Sequence, residues 1–211
     1  MRPPTWIPLA LGATVGAVAW AMPPAPCVSA SCGAGLECLA SRCVPAGGEP
    51  VPAGARRVVV PAQAVAVIGA EEGPGAPVAT LGAERSGARA LLVRFDVPGD
   101  PAGVVVAFLH LTPSPLSEGD QDVPLAVTAV LDAWAPDEAG GRGRPRLRSG
   151  GGHAQGIARG RPRLPVRIDV TSLVKQGAPQ GFAVTADARR GRGVALGTGG
   201  ADAPRLDLYV R

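Results

Sequence analysis

Aromatic residues, lysine and histidine are all scarce in this chain. Its 211 residues include three Trp, one Tyr, three Phe and two His, and Lys175 is the one lysine among 21 basic residues. With so few aromatics, the core must be built from Val, Leu, Ile and Ala, a set that favours β-strands because Val is abundant. The 30 Gly and 23 Pro exclude a helical bundle, since each costs about 1–3 kcal/mol inside a helix.

The chain also lacks the residue groupings that support nucleophilic catalysis. It contains no Gly-x-Ser-x-Gly elbow. His110 is predicted to be a surface-facing strand residue, and His153 lies in a glycine-rich stretch predicted to be a flexible loop, which cannot hold a base in place. Asp96 and Asp169 lie near predicted strand ends, where we expect them to accept corner hydrogen bonds. These observations predict a protein that is not an enzyme.

Residues 1–21 have the pattern of a secretory signal peptide. A single Arg precedes an apolar stretch that ends at Ala19, Trp20 and Ala21, a typical A-x-A cleavage site. The alternative is an uncleaved membrane anchor, which would be at the short limit of the roughly 17–25 residues that span a bilayer. We therefore expect a secreted, periplasmic or cell-surface protein, with membrane contact only if this segment is not cleaved.

Residues 22–43 hold all four cysteines, with the spacing C-x4-C-x5-C-x4-C: Cys27, Cys32, Cys38 and Cys43. In an exported chain, an even and clustered set indicates two disulfides, and four cysteines allow three connectivities. A zinc site is the alternative, but the usual C-x2-C knuckle is absent. The segment resembles short Cys-rich modules of exported bacterial proteins. Residues 44–55 are rich in Pro and Gly, which is typical of a linker.

From residue 56 onward, short apolar runs alternate with polar residues at period two and are separated by Gly/Pro turns. Nine runs are predicted as strands: Arg56–Val60, Ala64–Ile68, Arg89–Val97, Val104–Thr112, Leu125–Trp134, Leu164–Val170, Phe182–Ala186, Gly193–Leu196 and Arg205–Val210. A single helical turn is predicted at Thr171–Gly177, with a hydroxyl N-cap and a glycine stop. The series predicts an all-β fold, an antiparallel jelly-roll-like β-sandwich over residues 56–211.

Five segments of this region, in the same order, resemble the DNRLRE-domain family: Arg89–Pro98, Val104–Leu111, Ile168–Val174, Gly181–Val184 and Ala203–Leu206. The chain departs from the family pattern at residues 196–202, where Leu-Gly-Thr-Gly-Gly-Ala-Asp replaces a charged element. The resemblance implies a β-sandwich related to carbohydrate-binding modules, of the kind found on secreted and surface proteins.

The hexapeptide RGRPRL occurs twice, at residues 142–147 and 159–164, and the span from Arg142 to Arg167 contains eight arginines and no acid. The RGRP core resembles an AT-hook, whose arginines lie in the minor groove of A·T DNA. The export signal makes DNA an unlikely partner, whereas the density of arginine suits an acidic polymer. Candidate contacts of this arginine loop are Arg144, Arg146, Arg161 and Arg163.

Sugar binding normally uses exposed aromatic rings, which stack on the apolar faces of pyranose rings. Trp134, at the end of a predicted strand, is the best candidate for such a platform, and Phe108 and Tyr209 are further candidates.

Three carboxylates in a predicted turn are candidate calcium ligands: Glu118, Asp120 and Asp122. A solvated turn is the simpler interpretation, and no other cofactor is expected.

Taken together, these patterns predict an exported, non-catalytic module that binds carbohydrate or mediates adhesion, with a polysaccharide or another cell-envelope component as its partner. A structural subunit of the envelope or of an appendage, without a small ligand, is one alternative. The other is a protein that binds a polyanion or DNA through the arginine loop.

Overall fold

The structure, a computed structural model, describes residues 36–39, 42–45, 52–69, 77–82, 90–114, 122–139, 145–148, 153–158, 165–177, 180–186 and 193–211. Of residues 36–45 it describes the backbone alone. The predicted signal peptide, Cys27 and Cys32 lie outside these ranges.

The described residues form twelve strands and one short helix: β1 (Leu36–Leu39), β2 (Arg42–Pro45), β3 (Arg56–Ile68), β4 (Val78–Leu81), β5 (Ala90–Phe95), β6 (Val104–Leu111), β7 (Val123–Ala129), β8 (His153–Ala158), β9 (Val166–Asp169), α1 (Thr171–Lys175), β10 (Phe182–Ala186), β11 (Val194–Gly197) and β12 (Arg205–Val210). Single 3-10 turns precede β6 and β12.

Eight of these strands form one hydrogen-bonded ladder in the order β8-β7-β10-β5-β3-β12-β6-β9, and every pairing in it is antiparallel. The ladder folds over at β3. The first half of β3 pairs with β12 in what we call the front sheet (β3, β12, β6 and β9), and its second half pairs with β5 in the back sheet (β8, β7, β10, β5 and β3). The predicted all-β, antiparallel fold class is confirmed.

A β-bulge lets β3 serve both sheets. The register shifts between Ala62 and Ala64, and this extra residue reverses which side chains face inward. Pro61 lies just before the bulge, in the part of β3 that pairs with β12. Proline has no N–H to donate, but it is tolerated on an edge or at a bulge. Pro61 therefore does not break the strand, although the sequence predicted two separate strands here.

The inward side chains of the two sheets form the main core. Its largest fully buried members come from both sheets and from their connections: Leu81, Leu91, Leu109, Leu111, Leu125, Ile168, Leu173, Leu196, Leu206 and Leu208. Burying each such side chain is worth about 1.5–3 kcal/mol. The main core is mostly aliphatic, as the shortage of aromatic residues in the sequence predicts.

The front and back sheets also meet at their free edges, β9 and β8. A Cβ atom at Gly156 of β8 would lie 2.5 Å from Ile168 Cγ1 of β9. Glycine is therefore required at this point for β8 to approach β9. The sequence predicted a flexible loop around His153, but His153 begins β8 and is paired with Thr128 of β7. That prediction is wrong because pairing with β7 outweighs the low strand propensity of this glycine-rich stretch.

The helical turn α1 connects the two sheets at a corner. Asp169 Oδ1 accepts hydrogen bonds from the Thr171 backbone N–H at 2.9 Å and from the Thr171 hydroxyl at 2.6 Å. The Thr171 hydroxyl in turn accepts a bond from the Ala107 N–H at 2.9 Å. Gly177 ends the turn with φ of +70°. The predicted corner role of Asp169 and the predicted glycine stop are confirmed, but the hydroxyl contacts a neighbouring strand instead of capping the helix.

Two further antiparallel pairs lie outside the main ladder. Strand β4, which the sequence analysis did not predict, pairs with β11. Strands β1 and β2 form a hairpin in which Cys38 is opposite Cys43.

Candidate functional site

The outward surface of the front sheet carries the main cluster of charged side chains in the described residues. Outward positions alternate along each strand, and the register brings Arg57 of β3, Arg205 and Asp207 of β12, and His110 of β6 together on this surface. Arg167 of β9 is directly opposite His110. We call these five residues the arginine face.

Asp207 lies at the centre of the arginine face and is fully buried. One of its oxygens, Oδ2, accepts a hydrogen bond from Arg57 Nη2 at 2.6 Å and lies 3.0 Å from His110 Nε2. Arg205 Nε lies 3.8 Å from the other oxygen, Oδ1. Two guanidiniums and an imidazole thus surround one carboxylate beneath the surface.

The environment of Asp207 changes its acidity. Burial alone would raise the pKa of the carboxyl, but the hydrogen bonds and charges of His110 and Arg57 outweigh burial and lower the pKa from 3.8 to about 2. The carboxylate is therefore ionised at neutral pH, and it holds Arg57 in place on the outer surface of β3.

Two arginines of this face, Arg57 and Arg205, remain accessible to solvent above the buried carboxylate, whereas Nε and Nη2 of Arg167 are buried. The Arg57 side chain is 38% exposed and that of Arg205 is 48% exposed. The Arg167 guanidinium carbon lies 4.2 Å from the centre of the Phe108 ring, a cation–π contact that orients its planar group. Among the described residues of this surface, three guanidiniums outnumber the two carboxylates of Asp207 and Asp169, so the sum of their charges is positive.

Part of this ionic cluster is costly to the fold, because some of its buried polar atoms have no hydrogen-bond partner in the described part of the chain. Among the described residues, His110 Nδ1 and Asp207 Oδ1 are buried without a hydrogen-bond partner, and such atoms lose the free energy of their bonds to water. The sequence analysis predicted His110 to be surface-facing, but its exposure is only 8%, because the long side chains of neighbouring strands cover it.

Trp134 does not present an open ring. Its exposure is 6%, and it packs on the outward surface of the back sheet against small side chains such as Ala66 and Ala183. The indole N–H donates to the Gln180 carbonyl at 2.8 Å. Arg94 lies 5.3 Å from the centre of the ring and donates to the Trp134 carbonyl at 3.0 Å. The predicted sugar platform is thus a buried anchor for the segment that follows β7.

The other described aromatic residues are buried too: Phe95, Phe108, Phe182 and Tyr209. The predicted platforms Phe108 and Tyr209 pack against each other edge to face, with ring centres 6.2 Å apart. No described aromatic ring is therefore available to stack on a pyranose.

The described part of the predicted arginine loop is bound to the fold. Arg146 forms a forked ion pair with Asp132, with Nη2 and Nε 2.8 Å and 2.9 Å from the two carboxylate oxygens. This pair lowers the pKa of Asp132 to about 2 and raises that of Arg146. Leu147 pairs with Val130 in an isolated bridge. An AT-hook needs an extended, unpaired arginine segment, whereas Arg146 is already engaged by a carboxylate.

Several predicted residues lie outside the described ranges: Arg144, Arg161, Arg163, Glu118 and Asp120. Asp122 is described and exposed. Among the described residues, no three His, Cys, Asp or Glu side chains form a group that would hold a metal ion. No helix within these ranges has the length and apolar character that a membrane crossing requires.

A cleft of about 360 Å³ lies at one end of the sandwich, where β5 ends and β10 begins. Phe95 and Phe182 form its apolar wall, with ring centres 6.0 Å apart and tilted by 50°. Asp96 is the one charged residue among the described residues that line it. Gly181, with φ of +97°, passes so close to the Val93 carbonyl that a Cβ atom there would collide with it.

The sequence analysis did not identify the arginine face. Its members occur at outward positions of predicted strands, so the sequence indicates that their side chains point away from the core. Only the order β3-β12-β6-β9 reveals that residues as distant as Arg57 and Asp207 are neighbours.

Compared with known proteins, the chain matches no protein-family model and no curated protein.

Proposed function

We propose that this chain is an exported, non-catalytic module that binds an acidic polysaccharide through the arginine face of its β-sandwich. The observation that carries the proposal is the presence of the partly exposed side chains of Arg57 and Arg205 on one surface of the front sheet, which also carries Arg167. The resemblance to the DNRLRE-domain family supports the sugar-binding part of the proposal. The pattern of residues 1–21 supports export.

The chemistry of guanidinium groups favours a carboxylated ligand. Each guanidinium presents a planar fork of donors that matches the two oxygens of a carboxylate. Neighbouring strands lie about 4.8 Å apart, and the two partly exposed guanidiniums, Arg57 on β3 and Arg205 on β12, project from neighbouring strands. A polymer that carries carboxylates at regular intervals can contact both without changing its direction.

The aromatic residues favour an acidic glycan over a neutral one. Neutral sugars are bound chiefly by stacking on open aromatic rings, and every described aromatic ring of this chain is buried. A positively charged surface does not depend on such rings. Its affinity falls with added salt because screening weakens contacts between exposed charges.

The experiment compares the binding of the full chain to polygalacturonate with its binding to the methyl-esterified, neutral form of that polymer. The test variant is the double substitution Arg167→Gln and Arg205→Gln, which leaves Arg57 to hold Asp207. The matched control is the double substitution Arg146→Gln and Arg148→Gln. It removes the same number of positive charges from the segment that forms the isolated bridge with Val130. A third variant, Arg167→Lys and Arg205→Lys, keeps the charge but removes the fork.

Each exposed ion pair contributes about 0.2–1 kcal/mol. Loss of two arginines should therefore weaken polygalacturonate binding about 2- to 30-fold. The lysine variant should bind more tightly than the glutamine variant but less tightly than the unaltered chain. The esterified polymer should not bind. The proposal is wrong if the control variant loses binding while the test variant keeps it, since the arginine loop would then carry the contact. Preferential binding of duplex DNA at physiological salt would also overturn it.

A further inference from the structure

We infer that the cleft at the end of the sandwich is a second binding site, for a small ligand with an apolar body and one ammonium group. The site is separate from the arginine face, and the inference does not depend on the proposed function. It rests on the volume of the cleft, the character of its walls and the sign of its single charged group.

The volume suits a small molecule. About 360 Å³ lies in the lower part of the range of about 300–1,000 Å³ that is typical of ligand sites. The site is built from parts that the fold fixes firmly. Phe95 and Phe182 are 7% and 2% exposed and belong to adjacent strands, and Val174 of α1 is 4% exposed. A ligand therefore meets a largely formed surface, which reduces the entropy lost on binding.

The walls select an apolar body. The half-buried residues Val97 and Pro101 supply aliphatic surface to the cleft, and the buried residues Phe95, Phe182 and Val174 lie behind it. The apolar part of a ligand gains free energy in proportion to the area that it removes from water.

The single charge selects a cation. Asp96 follows the last residue of β5, and its exposed side chain lines the cleft. No Arg, Lys or His is among the described residues that line it, so none of these residues competes for the carboxylate. An ammonium group with three N–H donors can bond to both Asp96 and nearby backbone carbonyls. An anionic ligand would be repelled.

The test uses three probes of nearly equal shape: n-pentylammonium, 1-pentanol and pentanoate. Each is titrated into the full chain, and the backbone amide signals of Gly177 and Gly181 are followed by NMR. The Asp96→Asn variant removes the charge without changing the size of the side chain. Its matched control, Asp137→Asn, removes an exposed carboxylate from a turn away from the cleft. In a third variant, Val97→Trp narrows the cleft.

We expect n-pentylammonium to bind most tightly and pentanoate not to bind. Asp96→Asn should weaken n-pentylammonium binding about tenfold, because a hydrogen bond to a charged partner is lost, and should leave 1-pentanol binding unchanged. Val97→Trp should weaken both. Equal binding of n-pentylammonium to Asp96→Asn and to the unaltered chain would overturn the inference, as would tighter binding of 1-pentanol. Neither outcome would affect polygalacturonate binding, so this test and that of the arginine face are independent.

Discussion

The buried carboxylate of Asp207 gives this β-sandwich a specific pH dependence. Replacing it by Asn keeps the shape of the side chain and removes the charge that Arg57 and His110 surround at 2.6 Å and 3.0 Å. We expect Asp207→Asn to lower the free energy of unfolding at neutral pH. We also expect this difference from the unaltered chain to shrink in acid.

The magnitude follows from the pKa of Asp207, which is lowered from 3.8 to about 2 in the folded protein. A difference of this size corresponds to about 2 kcal/mol of stability, since each pKa unit is worth about 1.4 kcal/mol. Because the folded-state pKa is the lower one, this stability is fully present above about pH 4. It is lost as the pH falls towards 2, where the folded protein also takes up the proton.

The assay is urea unfolding of the unaltered chain and of Asp207→Asn at pH 6, 5, 4, 3 and 2.5, followed by circular dichroism. The separation between the two free energies should be about 2 kcal/mol at pH 6 and should close progressively below pH 4. Asp137→Asn is the control, because it removes a carboxylate that is exposed in a turn. Its curve should follow that of the unaltered chain at every pH.

Other carboxyl groups titrate in both proteins, so their contributions cancel in the comparison. A separation that stayed constant from pH 6 to 2.5 would refute the reasoning, since it would mean that Asp207 has the same pKa in the folded and unfolded states. A separation that widened in acid would show that burying the charge costs more free energy than its interactions with Arg57 and His110 contribute.

Two other substitutions test the structure. Trp134→Ala should lower the free energy of unfolding by about 3–5 kcal/mol, because it opens a cavity on the back sheet. Polygalacturonate binding by the folded fraction should be retained. Loss of binding with no loss of stability would instead make Trp134 a ligand contact. Gly156→Ala should cost about 1–3 kcal/mol by forcing a Cβ atom against Ile168. The control is Gly199→Ala, at an exposed position with extended backbone where the added atom meets nothing within 4 Å, and it should change the free energy of unfolding by less than about 0.5 kcal/mol. Equal losses in the two variants would mean that β8 and β9 are not in close contact.

Local periodicity accounts for most of the strands that the sequence predicted. The run Phe182–Ala186 and the run Arg205–Val210 have the same bounds in the structure, because alternating side chains fix both the strand and its inward face. The same rule failed where the chain broke the pattern for a non-local reason. Pro61 predicts a strand end, and the glycines around His153 predict a loop, but pairing with β12 and β7 overrides both signals.

The candidate site was harder to predict than the fold. Alternation assigns Asp207 and Tyr209 to the outward surface of β12, and an outward residue is expected to be exposed. Both are buried, because their neighbours on β3 and β6 cover them. Trp134 illustrates the same effect on the back sheet. A strand pattern states which way a side chain points, but it does not state what lies above it.

The sequence by itself therefore determined the class of the fold, its aliphatic core and the positions of most strands, since composition and period-two alternation act within a few residues of one another. The tertiary structure alone decided that β3 serves both sheets. It also decided that Arg57, His110, Arg167, Arg205 and Asp207 share one surface, although up to 150 residues separate them in the chain. Contacts of that range depend on strand order and on the bulge in β3, and neither is encoded in any local stretch of residues.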